Sequence, residues 1–125
     1  MKSIVILLLA VCAAAAPASK TEGRNLFLAK CSACHAKDGK GNPGIARLFK
    51  AKLEDLNLGS ARIQGLSDEK LASAVSEGVS NEAGRKTMPA FKGKLKDAEI
   101  ADVVAYLRAF GAKTESRKAV KKDVE

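Results

Sequence analysis

Apolar residues mark three helices along the chain. From about Asp97 to Phe110, the residues Ile100, Val103, Val104 and Leu107 fall at i, i+3, i+4 and i+7, the spacing of one helical face. Gly111 follows as the expected stop. A second helix opens at Ser67 as N-cap, with Asp68 and Glu69 placed to complement the helix dipole. Leu71, Ala74 and Val75 form its inward stripe, and Gly78 ends it. The first helix runs from about Thr21 to Cys31 and includes Leu26 and Phe27. Ser19 and Glu22 before and within it have the S-x-x-E spacing of a capping box. No stretch alternates apolar and polar residues convincingly, so the fold class is all-α. Residues 36–50 read as a glycine-rich loop and 79–96 as a second loop, around MPAF.

The N-terminal apolar run is of another kind. Ile4 to Val11 follows an early lysine and leads into small residues ending Ala16-Pro17-Ala18, the layout of a secretory signal. Residues 1–18 are therefore expected to be cleaved before Ser19, giving a periplasmic or otherwise exported protein. The run falls short of the ~20 residues a bilayer span needs. Cys12 offers a lipid-anchored alternative, but Val11 stands where a lipoprotein site has a small residue. What remains is one domain over residues 19–112, followed by a charged tail, 113–125, expected to be flexible.

Losing the leader changes the cysteine arithmetic. Of three cysteines, only Cys31 and Cys34 remain, both in KCSACH with His35. A bridge between them would close a tiny loop and constrain the unfolded chain very little. The domain is also short of large core residues, with no Trp, one Tyr and four Phe. Small domains of this kind often need a metal or cofactor.

C-x-x-C-H is the attachment signature of c-type haem. Two thiols one helical turn apart project to the same side, where each can add to a porphyrin vinyl group as a thioether, and His35 follows as an iron ligand. Two other chemistries use C-x-x-C. Structural zinc needs about four nitrogen or sulfur ligands, and His35 is the chain's single histidine. Thioredoxin-type exchange places the pair at a helix start after a strand, whereas here it ends a helix. Met88 tips the balance towards haem. It is the one methionine outside the leader and lies in a loop rather than an apolar stripe. Pro89 behind it biases its backbone towards an extended form. His35 and Met88 would ligate the iron from opposite faces, the His/Met set that raises haem potential for electron transfer.

With these residues in place, the sequence resembles the class I c-type cytochromes, small soluble monohaem electron carriers. The matching pieces run in order: Gly23 and Phe27, Cys31-Ser32-Ala33-Cys34-His35, the DGKG loop, LSDEKL, MPAF and the final EIADVVAYL, over about residues 20–111. The resemblance implies three core helices and loops wrapped around one covalent haem c, a monomer, and no enzymatic activity. It implies that Gly23 and Phe27 meet the Val103/Tyr106 face of the last helix. The family commonly has a proline whose carbonyl accepts the hydrogen bond from the ligand histidine. Here Ala46 stands at that place, and its carbonyl is the expected acceptor.

The chain carries 22 Lys+Arg against 14 Asp+Glu, a formal charge of +8. Lys37 and Lys40 follow the attachment site, and Lys86, Lys92 and Lys94 flank Met88, so a positive rim around the haem crevice is expected to steer acidic redox partners. The alternative is a plain solubilising surface. Nucleic acid is an unsuitable partner, since stacking aromatics and a recognition motif are absent. Two functional alternatives stand beside the carrier: a haem enzyme or gas sensor whose sixth iron site opens, and a docking subunit of a larger redox complex.

Overall fold

A computed structural model describes residues 16–124. The body of the expected leader, with Cys12, lies outside the described residues. The elements run α1 (Lys20–Lys30), α2 (Ser32–His35), α3 (Pro43–Phe49), α4 (Leu53–Leu56), α5 (Ala61–Gln64) and α6 (Asp68–Glu77). They continue with the short strands β1 (Val79–Ser80) and β2 (Lys86–Met88) and finish with α7 (Asp97–Val124). Among the described residues, no helix is long and apolar enough to cross a membrane.

The three helices expected from periodicity form the frame. Ser67 caps α6 by accepting from the Lys70 N–H at 3.2 Å, and Leu71 and Val75 are buried. Ile100, Val103, Val104 and Leu107 of α7 are all buried. α1 crosses α7 at Gly23, where an added Cβ would run into the backbone carbonyl of Asp102. One turn on, Phe27 is wholly buried and packs on Tyr106 and Phe110, with ring centroids 5.4 and 5.3 Å away. Such tilted aromatic pairs add about 0.5–1.5 kcal/mol each beyond their burial.

Three expectations about local structure need correcting. The capping box is half formed. The Glu22 N–H donates to Ser19 Oγ at 3.3 Å, but the Ser19 N–H goes to Asp102 Oδ1 on α7, 2.6 Å away. Gly111 does not stop the last helix, which continues to Val124. A glycine inside a helix costs only about 1 kcal/mol relative to alanine, and here it makes room for Gln64, whose side chain a Cβ would strike. Gln64 Nε2 then donates to the carbonyls of Leu58 (2.7 Å) and Leu107 (3.0 Å). Third, the expected loops are not all loop: α3 folds within 36–50 and β1 and β2 pair within 79–96, elements too short to show a period, as are α4 and α5 between them.

The core is in two clusters. Phe27, Cys31, Leu58, Val103, Leu107 and Phe110 form one. Val75, Phe91, Leu95 and Ile100 form the other, and Leu26 packs against both.

Candidate haem-attachment site

Cys31, Cys34 and His35 occupy one turn. Cys31 is at once the end of α1 and the N-cap of α2, and its carbonyl accepts from the Cys34 and His35 N–H groups at 3.2 and 3.0 Å. Both sulfurs are free thiols. Burial, helped by Cys34 nearby, pushes the Cys31 thiol from 9.0 up to about 11. Thiol–disulfide enzymes need the opposite, a lowered thiol pKa and an exposed sulfur. The thioredoxin-type alternative is therefore poorly served here. Zinc fares no better, since among the described residues no group of three or more His, Cys, Asp or Glu is placed to hold a metal ion.

The turn is held from behind by the loop that follows it. Helices leave their last carbonyls unpaired. Here the carbonyls of Ala33, Cys34 and His35 accept from Asn42 Nδ2 (3.1 Å), the Asn42 N–H (2.9 Å) and the Gly41 N–H (2.8 Å). Asn42 also turns its Oδ1 to the Gly44 N–H at 2.9 Å and so starts α3. Gly39 and Gly41 both have positive φ. A side chain on Gly39 would strike the Phe110 ring, and one on Gly41 would strike Leu56. The DGKGN sequence is thus what lets the loop lie between the core and α4.

That closeness sets the histidine. His35 Nδ1 lies 2.9 Å from the Leu56 carbonyl oxygen, so Nδ1 carries the proton and Nε2 is the nitrogen left to ligate a metal. Burial lowers the His35 pKa, against a smaller upward pull from Leu56, which favours the neutral ring a ligand requires. The expected acceptor, the Ala46 carbonyl, is not used. It takes the Lys50 and Ala51 N–H groups where α3 ends.

Met88 sits half-buried at the end of β2, against the cluster of Val75, Phe91, Leu95 and Ile100. β1 and β2 are antiparallel and pair Val79 with Met88. Gly78, at φ +76°, lets α6 end against the backbone of Met88, Pro89 and Ala90, which a Cβ would strike. Beyond Met88, the Phe91 and Lys92 N–H groups bond to the carbonyls of Val75 and Ser76 at 3.0 and 2.9 Å. The methionine is therefore fixed at both ends to α6. Cys31 belongs to one core cluster and Met88 packs against the other, and Leu26 joins the two.

The donor set suits a haem. Two thiols one turn apart, an imidazole with one nitrogen already engaged and a thioether on a stiff hairpin are what covalent attachment and His/Met ligation use. Leu48 and Val79 are exposed apolar side chains from the segments on either side, apolar surface of the kind a large flat cofactor covers. The lysines divide. Lys86 Nζ donates to the Glu77 carbonyl at 2.8 Å and serves as a cap for α6. Lys92 and Lys94 are exposed beyond Met88, and Lys37 and Lys40 are exposed on the loop after His35.

Comparison with known proteins agrees with this geometry. Residues 18–107 match a family model described as cytochrome c oxidase, cbb3-type, subunit III. A cytochrome c6 of Anabaena variabilis is 39% identical over 92 residues, covering 72% of this chain and 90% of that protein. A cytochrome c6 of Diacronema lutheri is 35% identical, covering 68% of this chain and 88% of the relative. A solved structure, KustC0563 c-type cytochrome, superposes with a TM-score of 0.57 at 28% identity and covers 70% of this chain and 95% of that one.

Proposed function

We propose, for a chain that belongs to the c-type cytochrome family, that Cys31 and Cys34 attach the haem through thioether bonds while His35 and Met88 are its axial ligands. As a member of that family the protein carries covalent haem c and transfers electrons between redox partners rather than acting as an enzyme. Bound haem would supply the one-electron chemistry, with no substrate bond to make. The chain's own residues set the conditions. The Leu56 carbonyl orients His35, the hairpin aims Met88, and the buried cluster around Cys31 excludes water. The observation that carries the assignment is the His35–Leu56 hydrogen bond, made inside the C-x-x-C-H turn.

The test is retention of haem under denaturation. In protein made with haem-attachment machinery, wild type should keep haem through a denaturing gel. Cys31→Ala/Cys34→Ala should release it completely, whatever residual binding the fold allows. Retention in the double variant would remove both cysteines from the assignment.

The lysine rim belongs to the same reading. Lys37, Lys40, Lys92 and Lys94 are its exposed members, with Lys86 contributing charge from its capping position, and the partner surface they suit is acidic. The expected result is an electron-transfer rate to the partner that falls steeply as ionic strength rises and the Debye length shrinks from about 30 Å at 0.01 M to about 8 Å at 0.15 M. A flat profile would take steering out of the account. The exported location and cleavage before Ser19 are part of the same proposal, supported by Ser19 being the N-cap on which α1 starts.

A further inference from the structure

α7 does not end with the core. Beyond Phe110, its last buried residue, the helix continues to Val124, and its charges are sorted. Arg117, Lys118 and Lys121 share one face at i, i+1 and i+4 and line one wall of a groove of about 580 Å³, with Lys40, Leu53 and Glu54 on the opposite wall. None of Cys31, Cys34, His35 or Met88 lines it. None of the ion pairs among the described residues engages Lys40, Arg117, Lys118 or Lys121. The acid in the groove, Glu54, is already 4.0 Å from Lys52. Four cations around a groove that holds one acid, Glu54, with Asp38 beside Lys40 and Arg117, leave its lining net positive, and an anion bound there offsets that charge.

We propose that this groove docks an acidic segment of a partner protein, clasped between Lys40 and the Arg117–Lys118–Lys121 face. A segment fits better than a membrane for two reasons. The cations line a groove between α7 and the segment of Lys40 to Asn57, so an extended acidic chain can meet both walls at once. The cationic face of the extension, Arg117, Lys118 and Lys121, also carries no apolar side chain to insert, since Val120, 65% exposed, lies outside the groove. Leu53 gives the segment an apolar contact within the charged cleft. The site shares Lys40 with the lysine rim, but none of Lys37, Lys86, Lys92 or Lys94 lines it. It adjoins the stretch whose Leu56 carbonyl holds His35, so a docked partner is held on the His35 side. The inference rests on the carrier reading only for the partner being a redox protein.

The experiment uses the full haem-loaded protein, with an oligoglutamate peptide as probe and amide chemical shifts as readout. Oligoglutamate should move the resonances of Lys40, Asn57 and residues 114–121, with an affinity that drops as salt is added. Arg117→Glu/Lys118→Glu/Lys121→Glu should weaken binding at least about tenfold, because several exposed charge contacts of a few tenths to 1 kcal/mol each are reversed. Lys20→Glu/Lys70→Glu, exposed residues outside both the groove and the lysine rim, should change it less than about twofold. The triple glutamine variant, which keeps helix-forming residues, should fall between. Shifts centred on Lys92 and Lys94, undiminished binding by the triple variants, equal shifts from inorganic phosphate, or preferential binding to anionic phosphatidylglycerol vesicles would each overturn the proposal. The haem spectrum and redox cycling of the same samples report separately on the carrier reading.

Discussion

Met88→Ala in the haem-loaded protein should leave the haem attached and lower its reduction potential by on the order of a few tenths of a volt, within the roughly 0.8 V that axial ligation spans. Attachment depends on Cys31 and Cys34, which the substitution does not touch. The potential depends on what faces the iron opposite His35, and a neutral, soft thioether favours the ferrous state. The hairpin that carries Met88 is held by Gly78 and by the Phe91 and Lys92 amides, none of which needs the methionine side chain. The weak ferric band at the red end of the spectrum should vanish with the ligand. Packing is the confounding effect, because Met88 is half-buried beside Val75 and Phe91. Met88→Leu separates the two. It keeps the volume at a cost under about 1.5 kcal/mol and should lose the band and the potential just as alanine does. A spectroelectrochemical titration in which both variants match wild type would exclude Met88 as a ligand.

Gly23→Ala should destabilise the fold by about 3 kcal/mol, at the upper end of what overpacking usually costs. The obstacles to a Cβ at Gly23 are the backbone carbonyl of Asp102 and the Cβ of Tyr106, so no rotamer change can make room. α1 and α7 must move apart, and the aromatic cluster of Phe27, Tyr106 and Phe110 opens with them. The same movement strains the Ser19–Asp102 hydrogen bond. Alanine is the better helix former by about 1 kcal/mol, which offsets part of the cost. At about 4–8 °C per kcal/mol for a domain of this size, the melting temperature of the ferric protein should fall by roughly 10–20 °C. A thermal melt followed by circular dichroism measures it, and an unchanged midpoint would remove the close α1–α7 crossing at Gly23 from the account.

Both predictions concern features visible in the sequence, and the reason is local. The turn from Cys31 to His35 places its donors by helical geometry alone, so the spacing of three residues reveals it. The faces of α6 and α7 are set by a repeat that needs only a few turns to show. Met88 stood out because it was the lone thioether outside the leader and preceded a proline. What the sequence by itself determined, then, was the frame of three helices and the C-x-x-C-H turn and loop methionine on which the proposed haem site rests.

Tertiary structure decided how the remaining polar groups were shared out. The acceptor for His35 proved to be the Leu56 carbonyl rather than that of Ala46. A backbone carbonyl has no residue-type signature, and which carbonyl is free depends on which helices have already consumed the others. Likewise, Gly111 looks like a stop until Gln64 comes against it from α5. Ser19 looks like a complete capping box until Asp102 arrives from α7 with a competing acceptor. Lys86 and Lys92 are near neighbours in sequence and both exposed, yet Lys86 alone of the two caps α6 through its Nζ, while Lys40 meets Arg117 across a groove formed only when α7 continues past the core. Spacing along the chain fixes what lies within one helical turn. Which distant donor meets which acceptor is settled by packing, since every buried polar group must be paired and the nearest partner in space is often remote in sequence.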